Sequence, residues 1–249
     1  MAMAKVLLLG GTADGRKMAS ELHSHNVDVT YSVAGLVRTP DVPCKILSGG
    51  FKERGGLKHY IQSHGITAIL DMTHPYAVNI TSRAWQACRE IGIPYLRFQR
   101  PLWQQQEGDH WIQGASLMGL FDEMQQYNRI MIGVGQLDEE HMNRIAQYDN
   151  QFQLYRTAAK PQTDIPNTML WLKAIGPFEY EQELALLREH KIEAVISKNS
   201  GGDATYAKIA AARTLGIPVF MLQRPALPEA ITPLYNIEDC KEVLQRYLS

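Results

Sequence analysis

Lys5-Val-Leu-Leu-Leu-Gly-Gly-Thr-Ala-Asp-Gly15 opens with a short apolar run, ends that run in glycines and continues into polar sequence. A brief apolar run bounded by turn residues is the pattern of a strand buried on both faces of a parallel sheet. The glycines mark a strand-to-helix turn. Gly10, Thr12 and Gly15 take the three positions of the G-x-G-x-x-G dinucleotide pattern, with Gly11 additional and Thr in place of the middle glycine. Such a turn aims free backbone N–H groups and the positive end of a helix at a pyrophosphate. Gly10, Gly11, Thr12 and Gly15 are therefore candidate cofactor-binding residues, the Thr12 hydroxyl adding a further donor.

The pattern returns at a shift of 124 residues, where Lys5 to Asp14 falls on Arg129 to Asp138 and Thr30 to Ala34 falls on Leu154 to Ala158. Gly92-Ile-Pro-Tyr-Leu-Arg-Phe-Gln-Arg-Pro101 falls on Gly216-Ile-Pro-Val-Phe-Met-Leu-Gln-Arg-Pro225 at the same shift, while Ile66 to Thr73 meets Ile192 to Asn199 at 126. A constant offset at separated places indicates duplication. Within the first half, Val6 to Leu9, Val27 to Ser32, Lys45 to Leu47, Thr67 to Met72 and Pro94 to Phe98 read as strands alternating with helical stretches, which implies a parallel sheet. Each half ends in a helix, marked by Leu117, Leu120, Phe121 and Met124 and by Val243, Leu244, Tyr247 and Leu248. The expected fold is α/β: two Rossmann-like lobes with parallel sheets, related by internal duplication, with a ligand cleft between them at the strand C-termini. The expected divisions are a cofactor lobe over 1–103, a connecting segment with a helix over 104–128 and a substrate lobe over 129–249.

Composition narrows the partners. A formal net charge of -1 gives no global basic field, so neither nucleic acid nor an anionic membrane is expected as a partner, and an anionic substrate must be met by a few placed cations. Three distant cysteines, Cys44, Cys88 and Cys240, form neither a disulfide framework nor a thiolate metal site, and His23-x-His25 belongs to no metal-ligand set. No protein-held metal is expected, and a reducing cytoplasm fits. Val6 to Leu9 is too short for the core of a signal peptide.

NAD-selective domains place an acidic residue at the end of strand two to hold the ribose hydroxyls. Here that end reads Tyr31-Ser32-Val33-Ala34-Gly35-Leu36-Val37-Arg38, where Ser32 and Arg38 suit a 2′-phosphate. NADPH is expected as cofactor, with NADH the alternative. The second glycine turn, Gly133-Val134-Gly135, is followed by Asp138, Glu139 and Glu140, whose charges would repel phosphate. The cofactor is thus assigned to the first lobe, leaving the second for substrate.

Strand four of the first half ends in Asp71-Met-Thr-His-Pro-Tyr-Ala77, and its counterpart ends in Ser197-Lys-Asn-Ser-Gly-Gly-Asp-Ala-Thr205. These stretches, with Gly10-Gly11-Thr12, Gly176-Pro177-Phe178, Glu183, Lys208 and the Arg224-Pro225 pair, resemble the precorrin-6A reductase family in order and over nearly the whole chain. The resemblance implies reduction of one carbon–carbon double bond of a ring-contracted tetrapyrrole by a nicotinamide cofactor, on the path to cobalamin. The candidate cofactor contacts extend to Thr73, His74 and Pro75. Tyr76, Arg156, Lys198, Asn199, Ser200, Gly201, Gly202, Thr205 and Lys208 are candidate substrate contacts, the cations among them suiting a macrocycle edged with carboxylates. His74 and Lys198 are the candidate catalytic proton donors, with solvent as the alternative. Two rivals stand beside this reading. A short-chain dehydrogenase needs Tyr-x-x-x-Lys, which none of the eleven tyrosines provides. The other is a non-catalytic two-lobed small-ligand or nucleotide-sensing protein.

Overall fold

The computed structural model describes residues 4–35 and 39–248, which divide into two compact units. The chain begins with β1 (Lys5–Leu9), α1 (Ala13–Ser24), β2 (Asp28–Val33), β3 (Lys45–Ser48), α2 (Leu57–His64), β4 (Ala68–Asp71), α3 (Val78–Ile91) and β5 (Tyr95–Phe98). It continues with β6 (Trp111–Gly114), α4 (Leu117–Glu123), β7 (Arg129–Gly133), α5 (Glu139–Ile145), β8 (Phe152–Thr157), β9 (Met169–Lys173), α6 (Tyr180–Glu189), β10 (Ala194–Lys198), α7 (Ala207–Leu215) and β11 (Val219–Leu222). A two-residue strand, β12 (Pro233–Leu234), and α8 (Ile237–Leu248) complete it. No described helix is long and apolar enough to cross a membrane.

Each unit is one six-stranded sheet, ordered β12-β5-β4-β1-β2-β3 in the first and β6-β11-β10-β7-β8-β9 in the second. All pairings are parallel. The expected α/β fold with duplicated parallel sheets is what forms. Strand alternation explains the near-continuous apolar runs. Val6 and Leu8 face the layer that contains Met18, Leu22, Cys240 and Leu244, while Leu7 and Leu9 face the opposite layer with Leu57, Ile61, Ala84 and Cys88. Both faces of β1 are buried, so neither set has room for a polar residue.

The units differ from the expected divisions. The first comprises 1–101 together with 225–249, and the second runs from Leu102 to Arg224. The reason is an exchange of terminal elements between the halves. β6 follows the first half in sequence but pairs with β11, and β12 follows the second half but pairs with β5. The helices go with their strands: α4 packs on β6 and β11, whereas Cys240 and Leu244 of α8 join the core built on β1, β2 and α1. Segment 104–128 is thus part of the second unit rather than a connector. Tyr247, expected on the apolar face of the last helix, is exposed.

In both sheets the chain order reverses between two adjacent strands, β1 and β4 in the first and β7 and β10 in the second. Loops after these strands splay apart and leave the crevice in which open α/β sheets bind ligands. The glycine turns and the two polar strand-end signatures follow these four strands.

Candidate active site

In the first unit the turn after β1 is fixed from three directions. The Gly10 N–H donates to the Ser32 carbonyl at 2.7 Å, and the Gly11 N–H donates to the Tyr31 hydroxyl at 2.9 Å. Thr12 caps α1: its Oγ1 accepts from the Gly15 N–H at 3.0 Å and donates to the Met72 carbonyl at 2.9 Å, tying the turn to the loop after β4. A cap of this kind contributes about 1 kcal/mol. Gly10 must be glycine, because a Cβ there would lie 2.2 Å from the Tyr31 ring. Gly11 has φ +103°, and nothing stands within 4 Å of where its Cβ would be. Asp14, in the first turn of α1, is ion-paired with Arg100, which offsets its charge at the helix N-terminus.

The loop after β4 is organised by Asp71, whose carboxylate is fully buried. It accepts from the Thr73 N–H at 3.0 Å, the Thr73 and Thr81 hydroxyls at 2.7 Å each, the Tyr95 hydroxyl at 2.8 Å and Arg97 at 2.7 Å. Arg97 is equally buried and donates to Thr73 Oγ1 at 3.0 Å. Burial and the Asp71 charge push the Tyr95 phenol well above its ordinary pKa, so it stays a neutral donor. His74 accepts from the Tyr76 N–H at 3.4 Å through Nδ1, and the two rings lie 5.5 Å apart. Pro75 is buried between them in sequence.

In the second unit a different ion pair is buried. Arg156, near the end of β8, binds Glu183 of α6 through both guanidinium nitrogens, and its Cζ lies 3.9 Å from the centre of the Phe178 ring. Lys208 of α7 is 3% exposed, donates to the Thr205 carbonyl at 3.0 Å and sits 5.5 Å from the Trp103 ring. Burial, reinforced by the Arg156 charge, lowers its pKa to about 7, with Glu183 opposing the shift. Lys198, at the end of β10, is lowered by burial as well. Both lysines approach the second glycine turn. A Cβ on Gly133 would be 3.5 Å from Lys208 Cε, and one on Gly135 would be 4.0 Å from Lys198 Nζ. Asn199 pairs with the backbone of Trp103, accepting at 2.9 Å and donating at 3.1 Å, while the Trp103 indole donates to the Gly202 carbonyl at 3.0 Å. Ser200 Oγ lies 3.4 Å from Thr205 Oγ1. Gly201 and Gly202 take φ of +64° and +73° and lead into a short 3-10 turn, Asp203–Thr205, which precedes α7.

The family model of precorrin-6x reductase CbiJ/CobK matches residues 5–247. The chain belongs to the precorrin-6x reductase family. It is 38% identical over 236 residues to a precorrin-6A reductase of Mycobacterium tuberculosis, covering 94% of this chain and 95% of that one. A cobalt-precorrin-6A reductase of Methanothermobacter thermautotrophicus is 29% identical, with 98% of this chain and 84% of that relative covered. The solved structure of CobK precorrin-6A reductase superposes with a TM-score of 0.89 at 29% identity, over 98% of this chain and 97% of that one. The resemblance carried by the motifs is therefore correct. The chain is an oxidoreductase of cobalamin biosynthesis that acts on a carbon–carbon double bond of the tetrapyrrole. The ligand-sensing alternative is not favoured.

Several expected site residues have more structural duties than their positions suggested. The Thr12 hydroxyl gives its proton to Met72 and is not a spare donor. Ser32 lies one residue inside the end of β2 and is buried, and Arg38 lies outside the described residues. Arg156 is matched by Glu183, and Lys208 is a buried amine that already donates to the Thr205 carbonyl. His74 belongs to the first unit and Lys198 to the second. Sequence reading passed over Tyr31, Arg97 and Trp103. Only Tyr31 had an available signal, since it falls on Tyr155 in the repeat.

Proposed function

We propose that the chain uses NADPH to reduce precorrin-6A or its cobalt form, holding the dinucleotide at the glycine turn of the first unit and the tetrapyrrole at the strand ends of the second. The open outer face of Gly11 at the head of α1 carries the cofactor assignment. A pyrophosphate needs close approach to backbone and the first free amides of a helix. Of the amides in the first turn of α1, only that of Gly15 is taken by the capping side chain. The residues present therefore suit a dinucleotide. When bound, NADPH supplies the hydride.

The preference for NADPH rests on the end of strand two, where Val33, Ala34 and Gly35 follow the buried Ser32 and no carboxylate of the kind that an NAD-selective domain places there is present. Arg38 completes the proposed 2′-phosphate contact. NADPH should bind more tightly than NADH, and Arg38→Ala should narrow that gap. Equal affinities in the unaltered protein would remove this part of the reading.

For the substrate, Lys198 and Lys208 supply the cations at the second switch point, with Asn199, Ser200, Gly201, Gly202 and Thr205 forming the loop beside them. Arg156, already matched by Glu183, supports this loop from the Phe178 side. Reduction places a hydride on one carbon and a proton on its neighbour. Lys198, whose burial favours release of its proton, is assigned as donor, and His74 is the second candidate. In single-turnover experiments Lys198→Met should slow tetrapyrrole reduction while leaving NADPH affinity unchanged. An unchanged rate would assign the proton to His74 or to solvent. The three thiols, which form no disulfide, accord with a cytoplasmic setting, and no nucleic-acid or membrane partner is proposed.

A further inference from the structure

The two glycine turns rest on the same tyrosine but are wired differently. Tyr31 and Tyr155 fall at the repeat spacing, on β2 and β8, and both are fully buried. In the second unit the Tyr155 hydroxyl accepts from the Leu137 N–H at 2.8 Å and donates to the Gly135 carbonyl at 3.0 Å, so it ties two points of a turn that ends in the carboxylate cap Asp138. In the first unit the Tyr31 hydroxyl accepts from Gly11, its ring fills the space over Gly10, and it lies 3.5 Å from where a Gly15 Cβ would stand. One side chain thus underlies all three glycines of the turn.

The contact has a directional consequence. With its N–H drawn inward to Tyr31, the Gly11 residue adopts φ +103° and turns its open face outward. Thr12 meanwhile directs its hydroxyl inward to Gly15 and Met72. This arrangement accounts for the departure from G-x-G-x-x-G: close approach is provided by Gly11, and Thr is tolerated at the next position because it caps the helix.

We propose that Tyr31 is a positioning residue of the cofactor turn: by accepting the Gly11 N–H it fixes the peptide whose outer face receives the pyrophosphate. It acts through Gly11 and does not itself touch the cofactor. The inference rests on the reading that this turn holds the dinucleotide, and the test separates the two.

Tyr31→Phe keeps the ring over Gly10 and removes only the acceptor. The expected result is a rise of about tenfold in Kd for both NADPH and NADH, the size of one lost part-buried hydrogen bond that orders the turn. Their ratio should not change, because the pyrophosphate is common to both. At saturating cofactor kcat should stay within about twofold, since the hydroxyl makes no contact of its own with reacting atoms. Tyr155→Phe is the control. It should lower the melting temperature yet leave both Kd values as they are. Gly11→Val, verified as folded by circular dichroism, fills the open face and should abolish NADPH binding. If Gly11→Val binds NADPH normally, the turn is not the cofactor site. If Gly11→Val fails to bind but Tyr31→Phe binds like the unaltered protein, or loses no more affinity than Tyr155→Phe, the site stands and the role of Tyr31 is overturned.

Discussion

The Lys208 ammonium lies behind Trp103 and near the buried Arg156–Glu183 pair, where its charge is poorly solvated. With a folded pKa of about 7, well below the ordinary lysine value, it binds its proton less tightly folded than unfolded. Below about pH 7 both states carry the proton and the full burial cost is present. Between about pH 7 and 10.4 the unfolded chain retains the proton that the folded chain has lost, so this group's contribution to stability rises with pH through that window. Lys208→Met should therefore be more stable relative to the unaltered protein at pH 6 than at pH 9, by a few kcal/mol. Denaturant titrations at the two values check this, and a gap independent of pH would contradict it. Gly11 makes the complementary case at the cofactor turn. Gly11→Ala meets no steric neighbour but must hold φ +103°, which costs about 1–2 kcal/mol. Its KM for NADPH should rise more than tenfold with the tetrapyrrole KM unchanged. A normal NADPH KM would mean that the open face is not used.

Elements carry the features that sequence pattern reads best. The expected strand Val6 to Leu9 became Lys5–Leu9 and Pro94 to Phe98 became Tyr95–Phe98, because apolar runs flanked by glycine and proline leave little choice of element. What joins the elements was not legible. Asp71 and Arg97 are separated by 26 residues and Arg156 and Glu183 by 27, and neither pairing has a local signal. Each pair belongs to one half alone. Ser32 stands where the repeat puts Arg156, so the duplicated sheets have diverged by burying different charges. Arg97→Met should strand the Asp71 carboxylate and cost about 3–5 kcal/mol, whereas Tyr95→Phe removes one of the five hydrogen bonds it accepts and should cost about 1 kcal/mol. Thermal and urea unfolding of the two variants test this. Equal losses would show that Asp71 does not depend on the Arg97 charge.

At the scale of the whole molecule, the repeat was legible and the exchange was not. β6 and β12 occupy equivalent places in the two halves, and a two-residue strand has too little pattern to declare its sheet. The decision lies in tertiary packing, where Cys240 and Leu244 of α8 bury against Met18 and Leu22. A chain ending at Arg224 should therefore lose the first unit, not the second, and with it NADPH binding. Protease mapping should show cleavage within 1–101 and protection of 102–224, and the reverse pattern would refute the assignment of the C-terminal segment. The chemical reading is tested most directly by mixing the purified chain with NADPH and either precorrin-6A or cobalt-precorrin-6A. One NADPH should be oxidised per tetrapyrrole, accompanied by a change in the tetrapyrrole absorption spectrum. No NADPH consumption and an unchanged spectrum with both substrates would contradict it.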